Sequence, residues 1–300
     1  MFGQMDAGRL KFAIEVLLAE YGKANVFFVA PSTDSNTETF AQPEYGKAPG
    51  MVFTDIQNAL TACEDGNGDH VFVLPGVYSP AATLVMAKGR VTLSGLPGLP
   101  NYQTIISRAT AGETLQVTDT GCVVKNLTFH SNGANAAVEV EASHFEAENL
   151  TLDGLTTGVA LVLNDTDSAV DDVKIRNCTL QRGTIGIQVG GGDAGHNNLD
   201  RLLVEDCRFV GNTIDIGETA ANQSDAIDLL FKGNTHVTTH GAGQFIDMPT
   251  GTHSGLITNC SFAAATPVTA KMDIPATLFW AGNHTEEVID STGTVDNRPD

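Results

Sequence analysis

Asn126-Leu-Thr-Phe129, Asn149-Leu-Thr-Leu152, Asn177-Cys-Thr-Leu180, Asp206-Cys-Arg-Phe209, Asn234-Thr-His-Val237 and Asn259-Cys-Ser-Phe262 are variations on one short pattern, with a weaker copy at Asn283-His-Thr285. The pattern is Asn or Asp, a small or apolar residue, a polar residue, then a large apolar one. Successive copies begin 23, 28, 29, 28, 25 and 24 residues apart. A period that drifts by a few residues means fixed elements joined by loops of variable length.

Alternating runs flank each copy. Cys122-Val-Val-Lys125, Val173-Lys-Ile-Arg176 and Leu202-Leu-Val-Glu205 precede it, and Ala137-Val-Glu-Val140, Val159-Ala-Leu-Val-Leu163, Ile185-Gly-Ile-Gln-Val189, Ile214-Asp-Ile216 and Phe245-Ile246 follow. A period of two belongs to a half-buried strand. Three short strands per period, with an Asn in the bend between the second and third, describe one coil of a right-handed parallel β-helix. Asn suits that bend because it tolerates the left-handed backbone conformation and its amide can bond the next rung. The reading therefore expects an Asn ladder of Asn126, Asn149, Asn177, Asp206, Asn234 and Asn259. It expects an inward set of Val124, Leu127, Phe129, Leu150, Leu152, Ile175, Cys178, Leu180, Val204, Cys207, Phe209, Cys260 and Phe262. Five of the seven Asn-x-Ser/Thr sequons fall on repeat positions, so a turn role outweighs glycosylation.

Composition agrees. The 300 residues are 42% hydrophobic, with 31 Gly and only 6% aromatic, which favours many tight turns around small and branched aliphatics. Asp plus Glu number 36 against 16 Lys plus Arg, a net charge of -20, which argues against a nucleic-acid partner. No stretch has the length and apolarity of a membrane span, and the start lacks the pattern of a signal peptide. The five Cys form no CxxC pair, so buried thiols are expected, with a Cys178–Cys207 disulfide conceivable because they lie on adjacent rungs. No metal and no cofactor are expected.

The first third differs. Leu10, Ile14, Leu17 and Tyr21 recur at helical spacing, an amphipathic segment suited to assembly or capping. Residues 1–24 are read as that helix, 25–68 as a strand, a loop and a capping helix over Thr54–Cys63 with a Thr54/Gln57 capping box. Residues 69–290 are read as about eight to ten coils and 291–300 as a tail.

Val26-Phe-Phe-Val29, the helix Phe53-Thr-Asp-Ile-Gln-Asn-Ala-Leu60 and Gly68-Asp-His-Val-Phe-Val-Leu-Pro-Gly-Val-Tyr78, followed by the Asn coils, resemble the pectin-lyase-like right-handed β-helix superfamily. Within it, the chain looks like short β-helix structural proteins of tailed-bacteriophage virions. That resemblance implies a homotrimer on the virion surface, made in the host cytoplasm, as head decoration or tail spike. Its partners would be further copies, capsid or tail proteins, and host surface polysaccharide, with no nucleic acid and no membrane.

Chemistry is judged at sites. The loops entering successive coils carry Asp165, Asp167, Asp171, Asp172, Asp193, Asp225 and Asp228, with His196 and His253. Paired carboxylates there could run glycoside hydrolysis. A surplus of 20 acidic side chains makes chance coincidence common, however, and none of the superfamily's recognisable enzyme motifs is present. His236 and His240 lie in strand and loop, a poor context for zinc. Trp280 in the last coil suits core or end-cap packing. The resulting expectation is a non-catalytic virion protein; the alternative is a polysaccharide-binding or polysaccharide-degrading β-helix, a hydrolase or lyase.

Overall fold

A computed structural model describes residues 24–31, 52–163, 170–190, 198–218, 225–238, 243–248, 253–264, 272–274 and 277–285. The chain winds as a single right-handed parallel β-helix of three sheets. Among the described residues sheet A has twelve strands, sheet B nine and sheet C eight, one for each coil that carries all three. A typical coil runs through Val123–Lys125 in A, Thr128–His130 in B and Ala136–Val140 in C, then returns to A at Glu146–Glu148. Each of these strands pairs in parallel with its equivalents in the coils before and after, so the ladders inside the stack are satisfied on both sides.

The register stacks like on like. Phe129 lies opposite Leu152, Leu152 opposite Leu180, and Leu180 opposite Phe209. All thirteen residues expected to point inward are 2% exposed or less. Burying one such side chain is worth about 1.5–3 kcal/mol. All five Cys are free and buried, so Cys178 and Cys207 stack as thiols and not as a disulfide. Burial, with Cys207 alongside, raises the Cys178 thiol well above its ordinary pKa.

The Asn ladder is corrected in one place. Asn126, Asn149, Asn177, Asp206 and Asn259 occupy the left-handed bend between sheets A and B, with φ of 58°, 52°, 52°, 52° and 54°. Asn149 Nδ2 donates to Asn126 Oδ1 at 2.8 Å. Asn234 does not share that bend, because Gly233 fills it at φ 67°. Asn234 falls one position later, in the inward column opposite Cys207, where its Oδ1 accepts from Cys207 N and its Nδ2 donates to the Val204 carbonyl, both at 2.9 Å. Gly282 displaces Asn283 in the same way. Asn thus serves either at the corner or just inside it, and glycine decides which. Asn177→Ala is expected to cost about 1–2 kcal/mol, the left-handed penalty, whereas Asn177→Gly should cost much less. Denaturant midpoints check the pair.

The capping helix α1 spans Ile56–Ala62 and buries Ile56, Ala59 and Leu60 against the first coils. Its N-cap is Asp55, whose side chain accepts from Asn58 N at 2.9 Å, and not Thr54. Gln57 is drawn away from a capping role: its amide exchanges bonds with Val85 N at 2.7 Å and the Val85 carbonyl at 3.2 Å, tying α1 to sheet C. The expected assembly residues Leu10, Ile14, Leu17 and Tyr21 lie outside the described residues.

The core changes character near the C-terminal end. Asn212, Asp215, Glu218, Asn234, His236, Thr238 and His253 are all buried. His236 stands where Phe209 and Phe262 stand in the neighbouring coils, its ring 4.6 Å from each, and Trp280 closes the stack 5.0 Å from Phe262. His236 Nδ1 lies 3.0 Å from Asp215 Oδ2, and Asn212 Nδ2 donates to Asp215 Oδ1 at 3.0 Å.

Candidate functional site on the outer face of sheet A

The residue just before each A-to-B bend points outward from sheet A. In chain order these are Lys125, Glu148, Arg176, Glu205 and Lys232, in register on five successive strands. Their charges alternate in sign at every rung. The neighbouring outward column holds Val123, Glu146, Lys174, Leu203 and Leu230, and continues through Leu256 to Phe279, which is 70% exposed.

Ion pairs knit the face. Arg176 is held between Glu146 at 3.2 Å and Glu205 at 3.3 Å, and Lys232 meets Glu205 at 2.6 Å. Lys232, then Arg176, hold the Glu205 carboxyl below its ordinary pKa. Exposed pairs of this kind add little stability. What they do is fix charged groups at set intervals along a rigid surface.

A second left-handed corner, between sheets C and A, borders this face. Arg90, His144, Asp172, Arg201 and Asp228 occupy it on successive coils, with Gly121 in the same column. Asp172 is clasped by Arg201, with Arg201 Nε to Asp172 Oδ1 at 2.5 Å, and His144 Nδ1 approaches Asp172 Oδ2 at 3.2 Å. The Arg201 hydrogen bonds hold Asp172 below the usual carboxylate range. Asp171 Oδ1 accepts from Asp200 N at 3.2 Å.

Of the carboxylates singled out from the sequence, Asp171, Asp172 and Asp228 therefore gather at this corner, while Asp225 opens a strand of sheet A at an exposed position. Asp165, Asp167 and Asp193 lie outside the described residues, as do His196 and His240. Within that group Asp172 is ion-paired to Arg201 and approached by His144, which favours its charged form. Among the described residues, no group of three or more His, Cys, Asp or Glu is arranged to hold a metal ion. No described helix is long and apolar enough to cross a membrane.

The charge column itself escaped the sequence reading, although its signal was present. Each member immediately precedes a bend residue, as in Lys125-Asn126, Glu148-Asn149, Arg176-Asn177, Glu205-Asp206 and Lys232-Gly233.

Comparisons with known proteins give the fold and stop there. No family model matches the chain, and no curated protein matches it. Solved structures do. A pectate lyase, Pel9A, is similar at TM-score 0.53 and 10% identity, covering 91% of this chain and 79% of its own. A rice weevil pectin methyl esterase is similar at 0.52 and 13%, covering 86% and 96%, and a carrot pectin methylesterase at 0.52 and 11%, covering 91% and 85%. At these identities the likeness is one of architecture, the pectin-lyase-like β-helix.

Proposed function

We propose that this chain is a polysaccharide-binding β-helix whose outer sheet A face takes an acidic polysaccharide along the coil axis. The alternating column carries the reading. Rungs lie ~4.8 Å apart, so Lys125, Arg176 and Lys232 recur every ~9.6 Å, with carboxylates between them. Cations at every second rung suit the carboxylates of alternate sugars in a uronate chain, and the intervening Glu148 and Glu205 suit sugar hydroxyls. Lys125, Lys174, Arg176 and Lys232 stand on this face among Glu146, Glu148 and Glu205, so in a strongly acidic protein its cations and carboxylates are balanced. Phe279 at its end offers a ring for the apolar side of a sugar.

The compared structures, named for pectate and pectin, favour a carbohydrate role over the virion role that the sequence suggested.

The experiment measures binding of the full chain to immobilised polygalacturonate and to immobilised dextran by surface plasmon resonance. Association with polygalacturonate should weaken as salt rises, because exposed charges are screened. Equal binding to both polymers would transfer the reading to neutral glycans, and binding to neither would end it.

A further inference from the structure

Asp69 is a carboxylate buried at the start of the stack, 0% exposed, and the partners that hold it are backbone and amide N–H groups. Its Oδ1 accepts from Asn25 N at 2.8 Å and from Asn67 Nδ2 at 2.6 Å. Its Oδ2 accepts from Glu64 N at 2.7 Å and from Asn25 Nδ2 at 3.3 Å. Those donors come from separate parts of the chain: Asn25 leads into the strand Val26–Val29, Glu64 follows α1, and Asn67 lies in the loop before the strand His70–Val73. The same loop bonds the next coil, with Gly66 N donating to the Gly89 carbonyl at 3.0 Å and Gly89 N to Asp65 Oδ1 at 2.9 Å. Asp69 therefore ties the capping helix to the stack.

One of its donors is chemically perishable. Asn67 precedes Gly68, and in an Asn-Gly step the glycine nitrogen can attack the preceding amide with no side chain in its way, one reason Asn counts among the thermolabile residues. Asn67 is exposed, and the space where a Cβ would sit on Gly68 is empty to 4 Å, so water and hydroxide reach the step. Among the described residues Gly68 N donates to no protein acceptor. The Asn67 side chain reaches forward past Gly68 to Asp69, which carries its Cγ toward Gly68 N. We propose that Asn67 is a site of spontaneous deamidation whose product unties Asp69 and loosens α1 from the first coils, so that the cap weakens as the chain ages.

The chemistry balances with water alone. Hydroxide takes the proton of Gly68 N, that nitrogen bonds to Asn67 Cγ, and the Cγ–Nδ2 bond breaks as ammonia leaves with a proton drawn from water. Water then opens the cyclic imide at either carbonyl, giving aspartate or isoaspartate. Aspartate removes a donor from the buried Asp69 charge and sets a like charge beside it. Isoaspartate also reroutes the loop backbone through the side chain. The sequence's other Asn-Gly step, Asn132-Gly133, holds no carboxylate, since Asn132 Nδ2 donates to the Arg108 carbonyl at 3.0 Å.

Cys63 reports the state of the cap. It closes the C-terminal end of α1 and is 4% exposed. Burial, with Asp69 and Cys122 alongside, pushes its thiol up to about 12, so a thiol reagent attacks it only when α1 lifts into water.

The test ages the full chain at mildly alkaline pH and locates deamidated and isoaspartyl peptides by mass spectrometry, while iodoacetamide labelling is mapped cysteine by cysteine. The expected result is product at Asn67 that accumulates with time. In Asn67→Asp, Cys63 should label about tenfold faster or more than in the parent, the loss of one hydrogen bond to a charged group. Cys178, Cys207 and Cys260, deep in the stack, should stay protected, and Asn132→Asp should label Cys63 at the parent rate. An aged chain still intact at Asn67, or Cys63 labelled at the parent rate in Asn67→Asp, overturns the proposal. Labelling of Cys178, Cys207 and Cys260 that rises as much as that of Cys63 overturns it too, because the loosening would then be global and not at the cap.

Discussion

Asp215→Ala is expected to lower the unfolding free energy by about 3–5 kcal/mol, the cost of leaving one partner of a buried polar pair alone. Asp215 and His236 are both 0% exposed, and Asp215 Oδ2 faces His236 Nδ1 at 3.0 Å. Removing the carboxylate strands the imidazole between two phenyl rings and takes a partner from Asn212. The informative variant is the double one, Asp215→Ala with His236→Phe. Ala137, Ala160 and Gly186 occupy the coils before Asp215 in the same inward column, and Phe209 and Phe262 flank His236, so the double variant restores the apolar pattern of its neighbours. Asn212 would keep its bonds to the Leu180 carbonyl at 3.0 Å and from Gly183 N at 2.9 Å. The double variant should therefore recover most of the loss or exceed the parent, since well-packed apolar replacements of buried pairs are often neutral or stabilising. Urea midpoints at unchanged slope report it. A double variant as unstable as Asp215→Ala would mean that the pair itself specifies these coils.

Phe129→Ala should cost a comparable amount, about 3–5 kcal/mol, for a different reason. Phe129 is 0% exposed and stacks between Ile106 and Leu152, so truncation opens a cavity in the middle of a one-dimensional column and weakens two coil interfaces together. Thr179→Ala, on the outward side of the same sheet, should stay within about 0.5 kcal/mol. If the two substitutions cost the same, the inward and outward assignment of sheet B would be reversed.

The fold was legible because its physics is periodic. The bend needs a left-handed residue and the next strand needs an inward apolar side chain, so Asn126-Leu-Thr-Phe129 and its copies announce both corner and core. The reading slipped by one residue at Asn234 and Asn283 because glycine meets the same backbone demand, leaving Asn free to serve inside. The second left-handed corner was invisible, since Arg90, His144, Asp172 and Arg201 share a conformation and no chemistry. The candidate site was less legible still. Loop carboxylates drew the eye as potential acids and bases, yet Asp172 is neutralised by Arg201 across one rung. The alternating column depends on which residues lie opposite one another, and that requires coil lengths that the sequence gives only approximately.

The central claim is that sheet A presents its cations to an acidic polysaccharide, and the most direct measurement is the affinity of Arg176→Ala/Lys232→Ala for immobilised polygalacturonate, beside the parent chain. A charge-assisted hydrogen bond is worth roughly 1.5–3 kcal/mol, so losing even one should weaken binding about tenfold or more. The account predicts that loss with an unchanged thermal midpoint, since both side chains are partly exposed at the surface. Undiminished affinity in a folded double variant would contradict it.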